Sequence, residues 1–323
     1  MSIRKDLLDE LGLSVPETIG EWHNVLCAFR DSSRVSIPLE FYQVEGQVHF
    51  EPLEKEYRQY VELLRDWYTE GLIDPNFVTN DASMITPFAD YGAGPTAWGF
   101  TTDILKTSFG LNEEEKFYIA GVLSPVINKG DKPASGFNGS TYAAYPFCIS
   151  NTCKNVDLAL SWLDFQFSRE AMEINNYGVE GQTYMKNNDG SYSYTEYISA
   201  DPDYSFVDKL YMATWGNTNF GRYTWEKYDA VYEESLRECQ AIWQAEDMSM
   251  ALPNISMTDE EGTRYNSLYT AVDTLVQEKT VKYIMGSESM DTYDAFVEQI
   301  KSHGAEECIE IYQKALNRYN ARK

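Results

Sequence analysis

A chain of 323 residues is long enough for more than one compact unit, and 51 acidic against 26 basic residues give it a net charge of −25. That balance is repelled by phosphate backbones and anionic lipid, so no nucleic-acid partner is expected. Aromatic side chains make up 14% of the chain, with 24 Tyr and 7 Trp; these two types both pack and hydrogen-bond at recognition surfaces, although burial in a core is the default reading for any one of them.

In chain order the predicted elements are mostly helices with signals at their ends. Thr18 to Glu21 reads as a capping box, the Thr hydroxyl accepting one orphan amide and the Glu returning to the cap amide, and the helix it opens runs to about Arg30. Next, Tyr57, Tyr60, Val61, Leu64, Trp67 and Tyr68 fall on one helical stripe, with Gly71 as a left-handed stop and Asp74-Pro75 beyond it. Gly94 to Asp103 is a short apolar segment containing Trp98, Ile127 to Tyr142 is loop-like, and Thr141 to Ser150 reads as an extended apolar strand with Pro146 at an edge or crossing. Helices follow over about Val156–Phe167 and Ser168–Tyr177, the second ended by Gly178.

Asn187, Asp189, Gly190 and Glu196 have spacings of a calcium loop, but with Gly190 sixth the first ligand position is Met185, a thioether that a hard cation does not choose. The flanks, Thr183–Asn187 and Ser191–Thr195, are strand-like where a helix–loop–helix site needs helices. A β-hairpin is therefore expected, with Asp189-Gly190 as a two-residue turn in which both residues accept positive φ. Further helices are predicted over Asp203–Thr214, over Thr224–Ala245, from the second capping box at Thr258–Glu261 to near Gly286, and over Asp291–Ser302 and Ala305–Tyr319. No internal repeat or low-complexity tract is found.

Chemistry-bearing motifs are absent from the sequence. Cys27, Cys148, Cys153, Cys239 and Cys308 are odd in number and without zinc spacing, His23, His49 and His303 are far apart, and no nucleophile elbow, phosphate loop or dinucleotide fingerprint occurs. No catalytic residue, metal or cofactor is expected. No apolar run approaches membrane-spanning length, and no signal peptide precedes Arg4.

Taken together, "RKDLLDELGL" at Arg4–Leu13, "WYTEGLIDPNF" at Trp67–Phe77, "AWGFTTD" at Ala97–Asp103, "GVEGQTY" at Gly178–Tyr184, "SMTDEE" at Ser256–Glu261 and the run Tyr293–Tyr319 resemble, in order, the family 1 extracellular solute-binding proteins of bacterial ABC importers, in the lipoprotein branch of Gram-positive bacteria. The resemblance covers nearly the whole chain. It implies an α/β, helix-rich, two-lobe fold of the type II periplasmic-binding-protein-like class. Members reach the "RKDLLDELGL" type of segment only after a lipobox signal and a first βαβ portion, so the first lobe is expected to be incomplete in this sequence. Residues 1–146 would form the main part of the second lobe, 147–251 the returning part of the first, and 252–323 helices packed on the second, with Thr141–Ser150 and Leu252–Met257 as hinge crossings. Implied with the fold are an oligosaccharide ligand, permease subunits of an importer as partners, a monomeric state, and an extracytoplasmic, lipid-anchored parent.

Sugar capture asks aromatic rings to stack on the C–H face of a pyranose and polar edges to hold hydroxyls. Trp98, Tyr142, Glu180, Tyr184, Trp215 and Arg222 are the candidates. For Glu180 the preferred reading is plainer: a carboxylate that accepts backbone amides and holds the turn beside the cleft. Two rival functions remain, a glycan hydrolase with paired carboxylates and a helical interaction scaffold; with 51 acids, abundance alone supports no catalytic pair.

Overall fold

The computed structural model describes residues 2–29, 41–78, 93–94, 118–134, 148–201, 203–204, 206–214, 224, 227 and 234–322. In chain order its elements are β1 (Ser2–Arg4), α1 (Lys5–Leu11), α2 (Ile19–Phe29), β2 (Phe41–Val44), β3 (Gln47–Phe50), a 3-10 turn (Glu51–Leu53), α3 (Lys55–Thr69), β4 (Ala93–Gly94) and β5 (Ile119–Gly121), then α4 (Val156–Phe165), α5 (Arg169–Tyr177), β6 (Tyr184–Lys186), β7 (Tyr192–Tyr194), α6 (Glu196–Ser199), α7 (Phe206–Ala213), α8 (Glu234–Gln244), α9 (Asp259–Ile284), a second 3-10 turn (Met290–Thr292), α10 (Tyr293–Ser302) and α11 (Ala305–Asn320). They divide into two compact units, one made of Met1–Gly139 with Glu238–Lys323 and the other of Ser140–Arg237.

In the first unit, β1 is the centre of an antiparallel three-strand sheet in the order β4-β1-β5, with Ile3 opposite both Ala93 and Ala120. Ile3 and Leu8 are fully buried beneath Trp22, Val25 and Leu26 of α2, with Leu72 and Val122 closing the cluster. The expected capping box opens α2: Thr18 Oγ1 accepts from Glu21 N at 3.2 Å and Glu21 Oε2 accepts from Thr18 N at 3.1 Å. A second amide, Glu17 N, donates to the same carboxylate at 2.9 Å, and these two backbone donors hold the Glu21 carboxyl below its ordinary range.

A larger core joins α3, α9, α10 and α11 to the β2–β3 hairpin. The predicted stripe of α3 buries Tyr57, Val61 and Leu64, and Gly71, with φ +77°, ends the helix while Leu72 N donates to Trp67 O at 2.9 Å. In α9 the second capping box forms as the sequence predicts, and Arg318 of α11 grips its Glu261 through two nitrogens at 2.7 and 2.5 Å. That guanidinium, with the Thr258 amide, depresses the Glu261 carboxyl to about 2. Gly304, at φ +100°, lets α10 and α11 close on α9, because a Cβ there would lie 2.8 Å from Leu268 Cδ2.

The hairpin of β2 and β3 turns through Glu45 and Gly46, both at positive φ, and Gln313 of α11 clamps it: its Oε1 accepts from Val48 N at 2.8 Å and its Nε2 donates to Gly46 O at 2.9 Å. Sequence reading left this hairpin unassigned.

The chain passes between the two units after residues 139 and 237. A Cβ at Gly121 of β5 would sit 2.8 Å from Cys239 Cα, so α8 docks closely on the small sheet at Cys239. Gln43 N then donates to Met250 O at 2.8 Å, and Leu252 and Ile255 pack on the large core, which places Leu252–Met257 inside the first unit. Most of Thr141–Ser150 lies outside the described residues.

The second unit begins with α4 and α5, capped by Asn155 and Ser168, whose side chains accept from Leu158 N and Ala171 N. Its core is small and aromatic. Tyr177, fully buried, stacks on Tyr192 with ring centroids 4.2 Å apart and is flanked by Tyr184 and Tyr194 at 5.5 and 5.6 Å. Polar bonds finish this packing: Tyr194 Oη donates to Asn176 O at 3.0 Å, and Tyr177 Oη meets Thr224 Oγ1 at 2.5 Å.

The hairpin of β6 and β7 exists in the expected strands, with Tyr184 opposite Tyr194 and Lys186 opposite Tyr192. Its turn differs from the expected one. Of Asp189 and Gly190 only Gly190 has positive φ, at +87°; Asn187 N donates to Ser191 O at 2.9 Å and Gly190 N to Asn187 O at 3.0 Å. This is a three-residue loop ending in a left-handed glycine. Asp189 Oδ1 accepts from Ser191 N at 3.0 Å and from Ser191 Oγ at 2.6 Å, bonds that stabilise the looser loop.

Candidate functional site

Trp98, Tyr142, Trp215 and Arg222 lie outside the described residues. The other two candidates fall in the turn between α5 and β6. Tyr184 is 3% exposed inside the tyrosine cluster, so in this structure its ring packs the second unit and presents no open face. Glu180 is exposed, and its carboxylate lies 3.4 Å from Lys186 Nζ.

The turn is held by Thr183, a residue that sequence reading passed over. Its hydroxyl accepts from Val179 N at 2.7 Å and donates to Tyr177 O at 2.5 Å, while Thr195 N donates to Thr183 O at 3.0 Å. These bonds do the work expected of the Glu180 carboxylate, because a hydroxyl carried on the β-carbon reaches the turn amide without leaving the core. Gly178 makes room for it: at φ +89° a Cβ there would be 2.6 Å from Thr183 Oγ1. Beside the turn, Glu173 accepts from Lys186 at 2.8 Å, from Tyr192 Oη at 2.9 Å and from Arg169 at 3.2 Å, and Lys186 first among them holds its carboxyl below the ordinary range.

A concave site with ligand-sized volume lies in the first unit. A cavity of about 320 Å³ is lined by Tyr42, Tyr57, Tyr60, Glu51, Glu54, Glu56, Ala134 and Met250. The fold assembles it simply. β2 brings Tyr42, the 3-10 turn that follows β3 brings Glu51, and the first two turns of α3 bring Glu56, Tyr57 and Tyr60. The segment after β5 and the loop after α8 supply Ala134 and Met250, tied by a bridge between Ala134 and Asp247.

Burial, reinforced by Glu54, Glu51 and Glu56, pushes the Tyr42 phenol up to about 12, and burial pushes Tyr57 up to about 12 as well. Burial raises Tyr60 further still. All three phenols therefore remain protonated donors at neutral pH. Tyr57 Oη meets Thr280 Oγ1 at 3.2 Å, and Tyr42 stacks on His49, whose Nδ1 is 2.9 Å from Glu54. Neutral phenols beside acceptor carboxylates form a surface that exchanges hydrogen bonds with hydroxyl-rich molecules and offers them ring faces. Sequence reading placed Tyr57 and Tyr60 on a helix stripe and did not single out this cavity. Its members come from four separate stretches of chain, and no local spacing marks the whole set.

One further grouping joins distant residues. His23 and Cys27 of α2 and Glu70 at the end of α3 offer ligand atoms within 4.8 Å of one another.

No family model matches the chain. It is 21% identical, over 99% of its length, to the fructooligosaccharide ABC transporter substrate-binding protein FusA of Streptococcus pneumoniae, of which it covers 66%. It is 20% identical, over 97% of its length, to the polygalacturonan/rhamnogalacturonan-binding protein YtcQ of Bacillus subtilis, of which it covers 67%. The chain thus spans about two thirds of the length of these curated relatives. Among solved structures, the alginate-binding protein AlgQ2 without calcium ion superimposes with a TM-score of 0.74 at 21% identity, over 98% of this chain and 71% of that one.

The fold is that of the two-lobe solute-binding proteins. The solute-binding fold agrees with the family resemblance carried by the motifs, and it accounts for a helix-rich chain whose strands are short and scattered. Among the described residues, no helix of this solute-binding fold is long and apolar enough to cross a membrane.

Proposed function

We propose that the chain belongs to the substrate-binding component of an ABC importer and captures an extracellular oligosaccharide without chemically altering it. The observation that carries this reading is a match to sugar-binding relatives that runs through nearly the entire chain rather than one motif. In this reading the parent protein is extracytoplasmic and lipid-anchored, acts as a monomer and delivers its ligand to permease subunits. The tyrosine- and glutamate-lined cavity of the first unit holds sugar hydroxyls; Trp98, Tyr142, Trp215, Arg222 and Glu180 are proposed as ligand contacts separately from that cavity. Three glutamates around the cavity and a net charge of −25 favour neutral oligosaccharides over polyuronates.

Calorimetric titration and thermal shift with neutral and uronic oligosaccharides test the proposal. A neutral ligand at a hundred times its Kd should stabilise the protein by about 2.7 kcal/mol, and Tyr60→Ala should weaken that ligand tenfold or more. Cleavage products that scale with protein and vanish on substitution of a single carboxylate would instead establish a hydrolase. Absence of binding by every glycan would favour an interaction scaffold.

A further inference from the structure

We propose that His23, Cys27 and Glu70 form a surface site for a divalent transition-metal ion of the Zn²⁺ class, with its fourth position open to water or to a ligand from another molecule. The proposal is independent of the sugar-binding reading, since none of the three residues lines the cavity of the first unit.

The fold creates this juxtaposition. His23 and Cys27 are four residues apart on α2, and so project from the same face of the helix. Glu70 is the C-terminal cap of α3, forty-seven positions after His23, and the apolar packing of Trp22, Val25 and Leu26 with Leu72 sets the end of α3 beside α2. Packing that has its own hydrophobic cause therefore delivers the carboxylate to the imidazole.

The distances are close to those of coordination. His23 Nε2 is 2.8 Å from Glu70 Oε2, and Cys27 Sγ stands beside the ring, 3.9 Å from Nε2 and 4.0 Å from Nδ1. In tetrahedral zinc, with Zn–S of about 2.3 Å and Zn–N and Zn–O of about 2.0–2.1 Å, sulfur and nitrogen stand about 3.6 Å apart and nitrogen and oxygen about 3.4 Å. The two separations from His23 thus need to change by only about half an ångström, and the Cys27 and Glu70 ligand atoms lie within 4.8 Å of one another, distances within the reach of exposed side chains. The imidazole is 36% and the carboxylate 47% exposed, and Cys27 is an exposed free thiol, so an ion has direct access from solvent.

The donor set selects the ion. A thiolate and an imidazole suit zinc and its neighbours, whereas calcium and magnesium take oxygen ligands. Three protein ligands leave one coordination position vacant, as in zinc sites that bind a further molecule. On binding, the Cys27 S–H proton leaves to solvent and the sulfur enters as thiolate, while neutral His23 coordinates through Nε2 and keeps its proton on Nδ1. No electron is transferred.

Co²⁺ is the probe, because cobalt bound to a thiolate has a charge-transfer absorption that cobalt bound only to oxygen and nitrogen lacks. Titrating Co²⁺ into the reduced protein should raise this band to saturation at one equivalent, and Zn²⁺ should then bleach it. Trp67, whose ring lies 6.3 Å from the His23 imidazole, provides a second reading through its fluorescence. Cys27→Ser should abolish the band, and His23→Ala or Glu70→Gln should weaken the Co²⁺ affinity tenfold or more. Circular dichroism of each surface variant checks that it is folded. A band that survives Cys27→Ser belongs to another thiol, such as Cys148 or Cys153, and overturns the proposal, as does an affinity indifferent to both His23→Ala and Glu70→Gln, or no band at millimolar Co²⁺.

Discussion

In the first unit α9 buries Val272, Val276, Tyr283 and Ile284 against α3, α10 and α11, whereas in the second unit α4 buries none of its residues. Along α4, Leu158 is 65% exposed and Val156, Leu160, Trp162 and Phe165 are each more than two-fifths exposed. An apolar composition therefore does not decide burial: α9 is the more polar helix of the two, and its apolar residues are buried because three helices and a hairpin converge on it. The first unit is ordered by hydrophobic closure. The described part of the second is ordered by a tyrosine stack and by hydrogen bonds that tie one turn to one hairpin.

The largest expected effect separates these two modes. Phe296, 1% exposed, packs edge-on against Tyr293 and beside Tyr283 in the large core. Phe296→Ala should cost about 3–5 kcal/mol of stability in urea denaturation. Leu158→Ala, a deletion of comparable apolar character on α4, should change stability by less than about 0.5 kcal/mol. A cost near 2 kcal/mol or more for Leu158→Ala would mean that the α4 face is covered in solution and would remove the contrast.

The next effect isolates the polar mode. Gly178 and Gly190 both have positive φ, at +89° and +87°, yet a Cβ at Gly190 meets open space and one at Gly178 meets Thr183 Oγ1 at 2.6 Å. Gly190→Ala should therefore cost about 1 kcal/mol from backbone strain alone, and Gly178→Ala about 2–3 kcal/mol, because the threonine bonds that hold the turn must also shift. Amide hydrogen exchange in β6 and β7 reads the difference, and equal acceleration by the two variants would show that Thr183 does not anchor the turn.

The parts of this fold written in local chemistry were legible in the sequence. The capping boxes at Thr18 and Thr258, the stop at Gly71, the apolar stripe of α3 and the strands of the second hairpin each depend on residues within a few positions of one another. Legibility ended where distant residues cooperate. Gln313 clamps a turn at Gly46, Gly121 admits α8, and the cavity gathers Tyr42, Glu51, Tyr60, Ala134 and Met250. Thr183 was missed for a different reason: a small hydroxyl among tyrosines draws less notice than Glu180, although the shorter side chain reaches the turn amide. The spacing of His23 and Cys27 was present in the sequence as a pair four apart, but the third member becomes visible only once α3 is packed beside α2.

The smallest effect compares the two hairpins directly. The turn of β2 and β3 needs two left-handed residues, and its first is Glu45 at φ +51°, the one non-glycine residue with positive φ among those described. A side chain with a Cβ costs about 1–2 kcal/mol in that conformation, and Asn, whose short amide bonds locally, relieves part of the cost. Glu45 is exposed, and the turn around it is held by its neighbours, with Gly46 N donating to Gln43 Oε1 at 2.9 Å. Glu45→Asn should thus raise stability by about 0.5 kcal/mol, visible as an increase in Tm. The matched change in the other unit, Asp189→Asn, should bring no gain. Asp189 is not left-handed, so there is no strain to relieve, and its carboxylate already accepts two bonds from Ser191, which together hold that carboxyl below its ordinary range. A neutral amide accepts those bonds more weakly than a carboxylate, so this variant should be unchanged or slightly less stable. A gain from Glu45→Asn with none from Asp189→Asn would confirm that the hairpins use different turns despite sharing an acidic residue before glycine; stabilisation by Asp189→Asn equal to that by Glu45→Asn would mean that both turns place two residues in the left-handed region.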